Sequence, residues 1–183
     1  MMSRKLLKLL VVSMSLSSLA AFAQSPPSNN PAGPGCGDPS AKFEVKTGDS
    51  QLTAQPEAGK ALIYVIENDS NFSSFPKPTI RAGLDGKWVG ATHSNSYLYF
   101  SVDPGEHHHC SSWQMGVILG KGKQTAAAHF TAQVGGVYYF EVKNVFFRSE
   151  TSAMTDTTLT ALDSDEGQVL ARQSHFSTSQ LKK

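Results

Sequence analysis

The residue types best suited to chemistry crowd into one short run, His107-His108-His109-Cys110. On a strand, successive side chains alternate faces, so His107 and His109 share one face while His108 and Cys110 share the other. Two imidazoles at that spacing can both reach a zinc or copper ion. A complete site needs further ligands, and His93, His129, Glu106 and Asp103 are the candidates. No HExxH and no paired CxxC accompanies the run, so the spacing alone defines only half a site. The competing reading is a row of exposed or hydrogen-bonded histidines beside a disulfide, in which an oxidised Cys110 offers no thiolate.

A second constellation is aromatic. Trp88, Tyr97, Tyr99 and Tyr139 sit on segments with strand-like alternation. If those strands pair into one surface, the four rings form a platform that stacks on sugars, which makes a glycan a candidate ligand. The competing reading is cross-strand packing of ordinary sheet aromatics. Hydrolytic chemistry has less support. There is no Gly-x-Ser-x-Gly elbow, and the scattered acidic residues mark no general acid and base pair. Gly120-Lys121-Gly122-Lys123 lacks the spacing and the hydroxyl residue of a phosphate-binding loop. The expectation is therefore a non-enzyme with no cofactor.

These residues must be held by strands, because period-2 patterning and recurrent turn signals dominate the chain. Lys42 to Lys46 alternates and reads as an edge strand; Ala61 to Ile66 is apolar on both faces and reads as a central one. Asp85-Gly86 favours the positive φ angles of a two-residue hairpin between Thr79–Leu84 and Lys87–Thr92. Ser96 to Val102, Glu106 to Gln114, Gln124 to Val134 and Val137 to Val142 follow as strands, with further ones expected at Asn144–Arg148 and Thr157–Leu162. Asp163, with Glu166 three residues on, is a helix start, and Gly167 limits that helix to two or three turns.

The ends bound the compartment. Arg4, Lys5 and Lys8 precede an apolar Leu6–Leu19 and a small-residue Ala21-Phe22-Ala23, the pattern of a signal peptide over residues 1–23. Its apolar run is short and broken by serines, so no transmembrane segment is expected after cleavage. Losing this leader leaves 13 of the 16 basic residues against 15 acidic ones, a balance that excludes a phosphate-backbone binder and hence nucleic acid. Residues 24–40 are rich in Pro, Gly, Ser and Asn and read as a flexible tether. Residues 41–183 suffice for one domain. Two cysteines in an exported chain predict a Cys36–Cys110 disulfide.

The order of an ALIYVI strand, LDGKWVG, SYLYFSVDPGEH, a Gly-Gly-Val-Tyr-Tyr turn and strand, then Leu159 and Glu166-Gly167 with Leu170, resembles the DUF2846 family of bacterial exported proteins of unknown function. The likeness covers roughly the last two-thirds of the chain. It implies a sandwich-like all-β domain of the bacterial envelope and supplies no catalytic residue; His108-His109-Cys110 is no part of it. The combined expectation is a single antiparallel β-sandwich of about seven to nine strands with a short C-terminal helix. Such a module would be periplasmic or secreted, with a binding or structural role toward an envelope protein or a glycan.

Overall fold

A computed structural model describes residues 35–49, 54–73, 75–114 and 121–183. The expected signal peptide, most of the tether and residues 115–120 lie outside the described residues. In chain order the elements are β1 (Phe43–Gly48), β2 (Ala61–Asn68), β3 (Thr79–Leu84), β4 (Lys87–His93), β5 (Ser96–Val102) and β6 (Gly105–Gln114). They continue with β7 (Lys121–Gly122), β8 (Thr125–Ala132), β9 (Val137–Arg148), β10 (Ala153–Leu162), α1 (Ser164–Gln173) and β11 (His175–Leu181).

Two sheets form a β-sandwich, one ordered β1-β11-β5-β2-β9-β10-β7 and the other β4-β3-β6-β8. The second sheet is antiparallel throughout. The first is mixed rather than antiparallel as expected, because β2 runs parallel to β9, β11 parallel to β5 and β10 parallel to β7. The strand inventory also exceeds the expected range. β11 carries a single aromatic in a polar segment, and β7 is only two residues long.

The β2 segment explains the layering. Ala61 through Glu67 are all buried. Ala61, Ile63 and Val65 enter the core between the sheets, where they join Ile80, Leu98, Trp113, Phe140 and Val142. Leu62, Tyr64 and Ile66 point the other way, into a second cluster with Tyr97, Tyr139 and Ala171. A strand apolar on both faces needs a cover on each. The four-stranded sheet covers one face and α1 the other.

That helix starts where Asp163 accepts hydrogen bonds from the backbone N–H groups of Asp165 and Glu166 at 2.9 and 3.0 Å, satisfying donors that the first turn leaves open. Gly167 is required for its seat: a Cβ there would stand 2.2 Å from Cγ of Tyr139. The same glycine that weakens the isolated helix lets its backbone lie directly on the sheet.

Residues 35–41 cover the opposite outer surface. Cys36 is bonded to Cys110 with a Cα–Cα distance of 5.1 Å. Arg81 donates from Nη1 to the carbonyls of Pro39 and Ala41 at 2.9 and 3.0 Å, and its guanidinium lies 4.4 Å from the Trp88 ring centroid. Trp88 Nε1 donates to the carbonyl of Asp38. The described end of the expected tether is thus part of the domain surface. Among the described residues no helix is long and apolar enough to cross a membrane.

Candidate functional site

The histidine run lies on β6, paired with β3 and β8. Alternation sends its rings to different surroundings. His107 Nδ1 lies 2.7 Å from Oδ2 of Asp85, and Nε2 lies 2.7 Å from the carbonyl of Asp103. Both partners are acceptors, an arrangement that favours the protonated ring, which can donate from both nitrogens. Burial works against that charge, but the two bonds and the nearby carboxylates outweigh it and raise the His107 pKa. His109 is fully buried, 5.3 Å from the Phe140 ring, and its Nδ1 donates to the carbonyl of Gly83 at 2.8 Å. Burial lowers its pKa to about 4, against the effect of that bond.

These surroundings bear on the zinc or copper reading. Both nitrogens of His107 are engaged by Asp85 and the Asp103 carbonyl, and Nδ1 of the buried His109 is engaged by the Gly83 carbonyl. The proposed further ligands are also dispersed. His93 contacts the Pro78 carbonyl and Thr79, and Asp103 meets His107 through its backbone. His129 pairs with His108 on the outer face, with Glu106 3.9 Å from it. Among the described residues no group of three His, Cys, Asp or Glu side chains is placed to hold a metal ion.

The aromatic platform needs correction at Trp88. It stands on β4, in the four-stranded sheet, whereas Tyr97 and Tyr99 on β5 and Tyr139 on β9 belong to the other sheet. Local alternation cannot tell which sheet a hairpin joins, and β4 pairs with β3. Tyr97 is moreover fully buried. The tyrosines do meet, through a residue that in the sequence is one position of an apolar strand. Tyr64 of β2 is in register with Tyr99 on one side and Tyr139 on the other. Its ring centroid lies 5.5 Å from Tyr99 and 4.9 Å from Tyr139, the latter pair stacked at 18°. Phe176 of β11 extends the row, stacked on Tyr99 at 5.3 Å. Four adjacent strands thereby carry one aromatic ladder across the sheet, and offset ring pairs of this kind add to the energy of simple burial.

One end of this ladder opens into a cleft of about 240 Å³ between α1, β2, β9 and the segment before β2. Tyr64, Tyr139 and Val137 supply its sheet side, Gln168 and Arg172 its helix side, and Gln55 a third wall. Arg172 and Gln168 are one helical turn apart, which places both on the same edge of α1. Among the described residues, the hydroxyls of Tyr64 and Tyr139 have no hydrogen-bond partner, although the two residues are only 2% and 8% exposed. Burial, helped by the neighbouring phenols, pushes the Tyr64 hydroxyl up to about 12. Burial also raises Tyr139, with Arg172 opposing it. Both phenols therefore stay neutral and able to donate across the physiological range.

A third feature lies between the sheets. Glu67 ends the inward row of β2 beside Thr92 and Asp69, and burial, then the neighbouring Asp69 carboxyl, raises its pKa well above the ordinary value. Asn144 donates to Asp69 Oδ1 at 2.9 Å and accepts from Trp113 Nε1 at 2.9 Å. This network is sealed inside the sandwich and opens into no described cleft. Local sequence signals mark neither it nor the cleft: Tyr64 lies within ALIYVI and Glu67 directly after it, and Arg172 lies on a helix whose sequence signals are its cap and Gly167.

No protein-family model matches the chain, and no curated protein matches it.

Proposed function

We propose that this chain is an exported, non-catalytic binding module of the bacterial cell envelope, of the DUF2846 kind that its strand and turn landmarks resemble. The observation that carries the binding role is the cleft beside α1, lined by Tyr64 and Tyr139, whose hydroxyls have no hydrogen-bond partner among the described residues. A phenol hydroxyl both donates and accepts, so hydroxyls at a cleft are groups that a ligand can engage. The leader-like residues 1–23 and the Cys36–Cys110 disulfide support export, since such bonds persist in oxidising compartments. The non-catalytic reading rests on the cleft's lining: it holds phenols, amides, the Ser164 hydroxyl and one guanidinium, and among the described residues no carboxylate or imidazole lines it to serve as a base near neutral pH.

Two measurements test this reading. Mass spectrometry of the protein from a cell fractionation should find a chain starting at Gln24 in the periplasm or medium; an intact leader in the cytoplasm would overturn the export claim. A thermal-shift screen of envelope-derived sugars and peptides should find a ligand that raises Tm and is recovered chemically unchanged. A ligand that is converted would overturn the non-catalytic claim.

A further inference from the structure

We propose that the cleft beside α1 binds one carboxylate-bearing sugar unit, a uronate, with the carboxylate held by Arg172 and the phenols of Tyr64 and Tyr139. The inference rests on the binding role argued above and narrows it to a ligand class. Size comes first. Drug-sized ligands occupy pockets of about 300–1,000 Å³, so a cleft of about 240 Å³ takes a ligand of about one ring.

Charge comes next. Arg172 is exposed and enters no ion pair among the described residues, and no acidic side chain lines the cleft. Its guanidinium is close enough to Tyr139 to influence the phenol's ionisation. A planar guanidinium beside two neutral hydroxyl donors is matched to a carboxylate, whose oxygens accept several charge-assisted bonds in one plane.

The remaining lining selects a polyhydroxylated ring over an apolar one. Gln55, Gln168 and Ser164 surround the cleft with amide and hydroxyl groups that can both donate and accept, as sugar hydroxyls require. The apolar contribution comes from Ala54, Val137 and the ring edges of the ladder, enough for one face of a pyranose.

The test uses the mature chain with its disulfide intact. Calorimetry and two-dimensional NMR would follow titration with glucuronate and, separately, with glucose at low ionic strength. Glucuronate is expected to bind and to shift the Tyr64 and Tyr139 signals. Arg172→Gln should weaken it about tenfold or more, as loss of a charged hydrogen bond does, and leave glucose unaffected. Tyr64→Phe keeps the ring in the ladder and should weaken glucuronate several-fold. Both variants should melt as the parent does, since Arg172 is exposed and Tyr64→Phe removes no hydrogen bond to a described residue. Equal binding of the two sugars, indifferent to Arg172→Gln, would overturn the carboxylate assignment while sparing the binding role. Absence of heat and of tyrosine shifts with both sugars would overturn the ligand class, and the thermal-shift screen then decides the broader role on its own. Turnover of either sugar would overturn the non-catalytic reading instead.

Discussion

The two outer faces of the sandwich are covered by opposite means. Over the four-stranded sheet, residues 35–41 lie flat and are fastened covalently at Cys36–Cys110 and electrostatically through Arg81. That cover fits without slack: a Cβ on Gly83 would stand 2.6 Å from the Gly35 carbonyl oxygen, and one on Gly37 would stand 2.6 Å from the Trp88 ring. Over the seven-stranded sheet, α1 rests on Tyr139 through Gly167 and packs on the apolar cluster through Ala171, with a cleft at its edge. The difference separates a seal from a site. A cover that must exclude water completely leaves no room for a ligand. One that touches the sheet along a single helix face leaves polar groups open beside it.

The largest effect should come from cutting the covalent cover. The bridge closes a span of 74 residues, for which the chain-entropy estimate is about 4 kcal/mol. The Cys36→Ser, Cys110→Ser double variant should therefore lose about that much in urea unfolding. Uronate binding by the fraction still folded should be unchanged, because the cleft lies on the other face. A coupled loss of affinity would break the division into seal and site.

Acid should strain the two sheets in opposite directions. On β6, His109 is depressed from 6.5 to about 4. Its contribution is present above pH 6.5 and is lost as the pH falls through about 4, because the unfolded chain takes up the proton first. A shift of that size corresponds to about 3 kcal/mol at full protonation. The stability gap between the parent and His109→Gln should narrow by up to that amount between pH 7 and 4. On β2, Glu67 is raised well above 4.5. Its contribution is present below pH 4.5 and is lost as the pH rises through the folded-state value, so Glu67→Gln should gain on the parent with rising pH. Parallel pH profiles for both variants and the parent would refute both assignments.

Lifting the non-covalent cover should cost less. Gly167→Val places branched atoms inside the Tyr139 ring, and overpacking of that kind costs about 1–3 kcal/mol. The near-ultraviolet tyrosine circular dichroism should change with it, since the ladder sits under the helix. Unaltered stability and spectrum would mean that α1 does not bear on Tyr139.

Much of the seal was legible in the sequence, and little of the site. Asp85-Gly86 announces its hairpin because both residues need positive φ, observed at 49° and 83°. The Cys36–Cys110 bridge follows from there being two cysteines behind a leader-like N-terminus, and the Asp163 cap from its side-chain chemistry. Such signals are local. The cleft is assembled from pairings that leave no local mark: β2 beside β9 in parallel, and β11 beside β5. The β11 segment HFSTSQL is nearly all polar and is a strand because β1 and β5 supply its partners. Trp88 shows the same limit in reverse, since its alternation matched the tyrosines while its sheet did not.

The smallest effect isolates the charge on the four-stranded side. His107 and Asp85 are bonded at 2.7 Å, yet the Asp85 side chain is 45% exposed. Solvent screening limits such a pair to about 0.2–1 kcal/mol. Asp85→Asn keeps a residue suited to the turn and an oxygen able to accept from the His108 N–H, while its NH2 replaces the charged oxygen that faces His107, so it removes the charge and the His107 acceptor together. Because the His107 pKa is raised in the fold, its contribution is present below pH 6.5 and is lost as the pH rises through the folded value. The variant should be slightly less stable than the parent at pH 6 and indistinguishable from it at pH 9, with the His107 titration moved downward by NMR. A deficit that persists undiminished at pH 9 would assign Asp85 to the turn alone.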